Sequence, residues 1–66
     1  MTIGDRIKTE RTKAGITQAE LATKAGTGQV YLSNLETGVK ADPSISTLVK
    51  IAGALGIKVS TLVRGL

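Results

Sequence analysis

The sequence predicts an all-α fold, a compact bundle of five short helices. Three observations predict it. Aliphatic residues recur at helical spacing, glycines interrupt them at short intervals, and Tyr31 is the only aromatic side chain, so the core must be built from Leu, Ile, Val and Ala. A chain of 66 residues is expected to make one domain, residues 1–66, near the lower size at which a core alone holds a fold. Its 41% hydrophobic content is too high for a disordered segment.

The first helix is expected from Ile3 to Ala14. Ile3 and Ile7 lie four apart and Arg11 continues their stripe; Gly15 then stops the helix in a left-handed conformation. Thr17 and Glu20 have the spacing of a capping box, which opens a second helix from Gln18 to Lys24 or Ala25, apolar at Leu21, Ala22 and Ala25 and stopped by Gly26. Thr27 reads as the N-cap of a third helix, from Gly28 to Glu36 or Thr37, with Leu32 and Leu35 facing inward and Gly38 as its stop. Val39 to Pro43 reads as a loop, because Pro43 favours an extended Asp42. Ser44 or Ser46 caps a fourth helix that ends near Leu55. There Leu48, Ile51, Ala52 and Leu55 fall at i, i+3, i+4 and i+7, and Gly56 follows. Ser60 is expected to cap a last short helix carrying Leu62, with the chain ending at Leu66.

Composition removes several functional classes. With no Cys and no His there is no disulfide, thiolate metal site or histidine base, and the five acidic residues are spread along the chain. Neither a catalytic site, a metal site nor a cofactor is expected. No apolar run approaches the roughly 20 residues of a membrane span, and Met1 to Asp5 does not read as a signal peptide, so a cytoplasmic location is expected. The net charge of +4 suggests a polyanionic partner, although many small domains are basic for solubility alone.

Function concentrates between Gln18 and Thr37. Two short helices meet at Gly26, where a glycine permits the positive φ of a tight turn, and Ala22 sits where the helices approach. Leu21, Ala25, Leu32 and Leu35 then face the core. Gly28, Gln29, Val30, Ser33, Asn34 and Thr37 face outward.

The run Gly15-Ile16-Thr17-Gln18-Ala19-Glu20-Leu21-Ala22, followed by Gly26, by Tyr31-Leu32-Ser33-Asn34-Leu35-Glu36 and by Gly38, resembles the phage repressor/Cro-type helix-turn-helix family. That family includes controller proteins of restriction-modification systems and many small bacterial regulators. Pro43-Ser44-Ile45, Thr47-Leu48, Lys50-Ile51-Ala52 and Ala54-Leu55-Gly56 extend the likeness over nearly the whole chain.

The resemblance implies a transcriptional regulator that binds a palindromic double-stranded operator as a homodimer, with the third helix in the major groove. It places Gln29, Val30, Ser33, Asn34 and Gly28 at base edges. A glutamine or asparagine amide pairs with adenine N6 and N7, and Val30 meets a thymine methyl or is a scattered surface valine. Many relatives have arginine where this chain has Asn34. It places Thr17, Gln18, Arg11, Tyr31, Lys40, Lys24 and Lys13 along the phosphate backbone, since the third helix has no Lys or Arg of its own. Arg11 and Glu36 match an arginine–glutamate pair that braces two helices and aims spare guanidinium donors at the backbone. Arg6, Lys8, Lys50, Lys58 and Arg64 are expected on solvated faces. Dimerisation is assigned to the C-terminal Ile57, Val59, Val63 and Leu66, which otherwise close the small core. Neither a small-molecule effector nor a membrane partner is expected. The alternative is a protein-interaction module of the same fold, an antitoxin-like or anti-repressor partner.

Overall fold

The structure is a computed structural model that describes residues 2–39 and 42–64. Among the described residues there are five helices and no strand: α1 (Ile3–Ala14), α2 (Gln18–Ala25), α3 (Gln29–Thr37), α4 (Ile45–Leu55) and α5 (Val59–Leu62). α1 packs on α3, α4 and α5, and α2 packs on α3 and α4. Ile7, Leu21, Leu32, Leu35, Ile51 and Leu62 are fully enclosed, and Ala22, Ala25, Leu48 and Ala52 fill the space between them. At about 1.5–3 kcal/mol per buried aliphatic side chain, these contacts are what hold helices too short to persist alone.

Helix starts and stops are set locally. Thr17 Oγ1 accepts the Glu20 N–H at 3.1 Å while Glu20 Oε1 accepts the Thr17 N–H at 2.9 Å, the reciprocal capping box expected for α2. Thr2 and Asp5 do the same for α1. Their mutual bonds, chiefly from the backbone N–H in each case, lower the Asp5 and Glu20 carboxyl pKa below its ordinary value. Ser44 caps α4 through the Thr47 N–H. Gly26, at φ 71°, ends α2: its N–H bonds to the Thr23 carbonyl and the next N–H, from Thr27, bonds to the Ala22 carbonyl. This Schellman closure requires a left-handed residue at the turn between α2 and α3.

Two caps differ from expectation. Thr27 does not cap α3; Gly28 does, in extended conformation and without a side-chain bond, so Gly28 precedes the helix instead of opening it. The backbone of Thr27 is taken by closure of α2, and its Oγ1 is buried without a hydrogen-bond partner. Ser60 does not cap α5 but lies inside it. Lys58 is the cap, because the Gly56 turn delivers the chain to the last helix two residues earlier.

Arg6 is not a solvated side chain either. Its guanidinium donates to the Thr61 carbonyl at 2.8 Å and ties α1 to the end of α5. Gly4 lets α1 lie directly on the end of α3, where a Cβ would overlap the Leu35 carbonyl oxygen. No described helix is long and apolar enough to cross a membrane.

Candidate nucleic-acid interface

α3 is divided into two faces. Leu32, Leu35 and Glu36 are buried and Tyr31 packs partly against the core, whereas Gln29, Val30 and Thr37 are exposed and Ser33 and Asn34 are half-exposed. Gln29 and Val30 occupy the first turn. Ser33 and Asn34 lie one turn later on the same outward surface, as i, i+4 spacing requires. Gly28 stands exposed before them, with nothing near the position of its absent side chain. The helix thus presents a short, uncharged polar strip around an exposed valine.

The orientation of α3 is held by Glu36. Its carboxylate accepts hydrogen bonds from Arg11 Nε at 2.8 Å, Arg11 Nη2 at 3.1 Å and Gln18 Nε2 at 3.0 Å. Arg11 Nη1 donates to the Ile16 carbonyl at 2.9 Å. The Glu36 side chain is only 2% exposed, so the bidentate pair operates largely out of water. Hydrogen bonding to Glu36 is the main reason the Arg11 pKa is raised above its ordinary value. Arg11 therefore joins the end of α1, the α1–α2 loop and the end of α3, and its guanidinium is directed inward along three bonds. Gln18 adds the start of α2 to the same junction. Its role there escaped the sequence reading, because no local pattern links residues 18 and 36.

Around this strip, Thr17 is exposed at the start of α2, and its hydroxyl retains a proton to donate after accepting from Glu20. Lys24 is exposed in the last turn of α2. Lys13 is exposed in the last turn of α1, 3.6 Å from Glu10. Lys40 and Leu66 lie outside the described residues. Ile57 and Val59 are partly buried against the chain's own core, while Val63 is 37% exposed. More open apolar surface lies on α4, at Ile45 and Val49, which are spaced for one face.

The family described as helix-turn-helix matches residues 7–62, which takes in the whole of α2, the Gly26 turn and α3. The chain belongs to the helix-turn-helix family. Among relatives of this family, the chain is 48% identical over 63 residues to the immunity repressor protein of Bacillus phage phi105, covering 96% of this chain and 43% of that protein. It is 43% identical over 62 residues to the transcriptional regulator SinR of Bacillus licheniformis, covering 94% of this chain and 56% of that one. The chain thus spans about half the length of these curated relatives. Among solved structures, the fold is similar to that of the biofilm master regulator SinR in complex with DNA, with a TM-score of 0.91 at 41% identity, over 96% of this chain and 100% of that chain. In this helix-turn-helix α2 is the first helix and α3 the second, and the Glu36 junction sits at the C-terminal end of α3.

Proposed function

We propose that this chain is the DNA-binding part of a transcriptional regulator and binds double-stranded DNA sequence-specifically through α3 in the major groove. The observation that carries this reading is the two-faced recognition helix, set in a fold similar along nearly its whole length to a regulator solved on DNA. Gln29, Val30, Ser33 and Asn34 meet base edges, and Gly28 allows close approach of the backbone. Thr17, Gln18, Tyr31, Lys13 and Lys24, with Lys40, follow the phosphates, while Arg11 acts mainly by holding Glu36.

A domain of this size covers one half-site. Two copies on a palindrome place their recognition helices about 34 Å apart, one helical turn of DNA. Val63 and the exposed parts of Ile57 and Val59 are proposed for pairing, and Leu66 is assigned to the same role from the sequence. The site of action is the nucleoid, in the cytoplasm.

The test is a gel shift on duplexes selected from a random pool, repeated over a salt series. Binding that weakens with salt and discriminates selected from random duplex supports the reading. No shift on any duplex at low salt would favour the protein-interaction module. Sedimentation with and without the selected duplex reports the dimer.

A further inference from the structure

The outward surface of α3 lacks the paired cationic donors that most often read guanine. In the major groove guanine presents two acceptors, N7 and O6, and is read most often by the paired donors of Arg or Lys. α3 contains neither residue, and its one ionic side chain, Glu36, is turned into the protein. The arginines of α1 are engaged within the fold, Arg11 on Glu36 and the Ile16 carbonyl and Arg6 on the Thr61 carbonyl. What α3 presents outward is different. Gln29 and Asn34 carry amides, each with a donor and an acceptor side by side, the complement of adenine N7 and N6. Val30, 76% exposed, has no polar atom in its side chain, and the group in the groove that it complements is the thymine C5-methyl.

The spacing fits one short run of bases. Val30 and Asn34 share a stripe, with Gln29 beside Val30 at the start of the helix. From Gln29 to Asn34 the helix rises about 7.5 Å, at 1.5 Å per residue. That is roughly two base steps of 3.4 Å.

We infer, on the basis of the DNA-binding reading above, that α3 reads about three consecutive A·T pairs in each half-site, Gln29 and Asn34 on adenine and Val30 on a thymine methyl. Guanine and cytosine, where the operator has them, fall outside the bases read by these three side chains.

The experiment is a selection of random duplexes by the purified chain, followed by binding titrations on the selected site carrying single-atom changes. The expected half-site has an uninterrupted A·T run. Replacing one adenine of the run by 7-deazaadenine, which lacks N7 and so loses one of the two hydrogen bonds, weakens the parent about 2- to 13-fold, and much less in Gln29→Ala or Asn34→Ala, whichever faces that base. Replacing one thymine by uracil, which lacks the methyl, weakens the parent about fourfold and Val30→Ser, whose side chain is polar, much less. All three variants alter exposed or half-exposed side chains, and circular dichroism is the check that each is folded. Selected half-sites with no uninterrupted run of about three A·T pairs, or indifference of the parent to both base analogues, overturn the inference while leaving DNA binding standing. Failure to enrich any duplex removes the DNA-binding reading, and this inference with it.

Discussion

Glu36→Ala removes the carboxylate on which α1, α2 and α3 converge. The variant leaves the Arg11 guanidinium, whose side chain is 15% exposed, beside an empty site, and it leaves the Gln18 amide without its acceptor. Breaking a buried pair by deleting one partner costs about 3–5 kcal/mol, because the remaining charge is uncompensated. The part of Arg11 still in water places this case near 3 kcal/mol, the lower end of that range. A domain of 66 residues, at about 0.05–0.15 kcal/mol per residue, has roughly 3–10 kcal/mol in total. The variant should therefore lose about 30% or more of its stability. Urea titration followed by far-ultraviolet circular dichroism measures the loss. The paired change Arg11→Met with Glu36→Leu removes both charges and keeps apolar volume, so it should recover most of the stability. Two results would refute the reasoning: a loss below about 1 kcal/mol for Glu36→Ala, the range of an exposed pair, or an equal loss in the single and double variants, which would assign the cost to packing.

Other expectations follow from the same geometry. Gln29→Ala should leave the melting temperature unchanged and cost about 1–3 kcal/mol on selected duplex, with no change on random duplex, in side-by-side anisotropy titrations. Gly4→Ala should destabilise by about 1–3 kcal/mol, because its Cβ meets the backbone of Leu35, and a domain this size should melt about 4–8 °C lower per kcal/mol in a thermal scan. Gly26→Val should cost about 1–3 kcal/mol through backbone strain alone, since φ is 71° and nothing lies within 4 Å of the added Cβ; Gly26→Asn should be milder, as thermal melts of the pair would reveal. The Asp5 and Glu20 carboxyls are lowered below their ordinary values of 3.8 and 4.5, so each favours the folded state above that value, and its contribution fades as pH falls through the lower, folded-state pKa. Glu20→Gln keeps a capping acceptor that does not titrate, so its melting temperature should fall less than the parent's between pH 5 and pH 3, a range set by these ordinary carboxylate values.

What the sequence made legible was local. The four glycine stops, the Thr17–Glu20 box and the inward leucines of α3 are each fixed by residues within a turn or two of one another, and pattern reading finds them. The Gly28 cap was misplaced onto Thr27 because a glycine cap leaves no side-chain signature, while a threonine does. The Arg6 bond to Thr61, the Gln18 bond to Glu36 and the contact of Gly4 with α3 join residues far apart in the chain. Such contacts depend on how helices cross, which periodicity does not encode. Arg11 and Glu36 were paired in advance only through the family resemblance. Counting aliphatic residues leaves open whether Ile57 and Val59 pair with a second copy or close the core, because it does not say how far the last turn folds back onto the bundle; both are partly buried against it.

The separation of α3 into an enclosed face and an open one makes the helix an interchangeable reading head. Leu32, Leu35 and Glu36 hold it in place and contribute nothing to its outward chemistry. Gln29, Val30, Ser33 and Asn34 form that chemistry and lie outside the core cluster. Substitutions on the open face are therefore nearly free of folding cost, so on the proposed DNA-binding reading the preferred sequence can drift one base at a time while the scaffold stays fixed. Grafting the four outward residues of another member of the family onto this chain should transfer that member's preference without any repacking beneath.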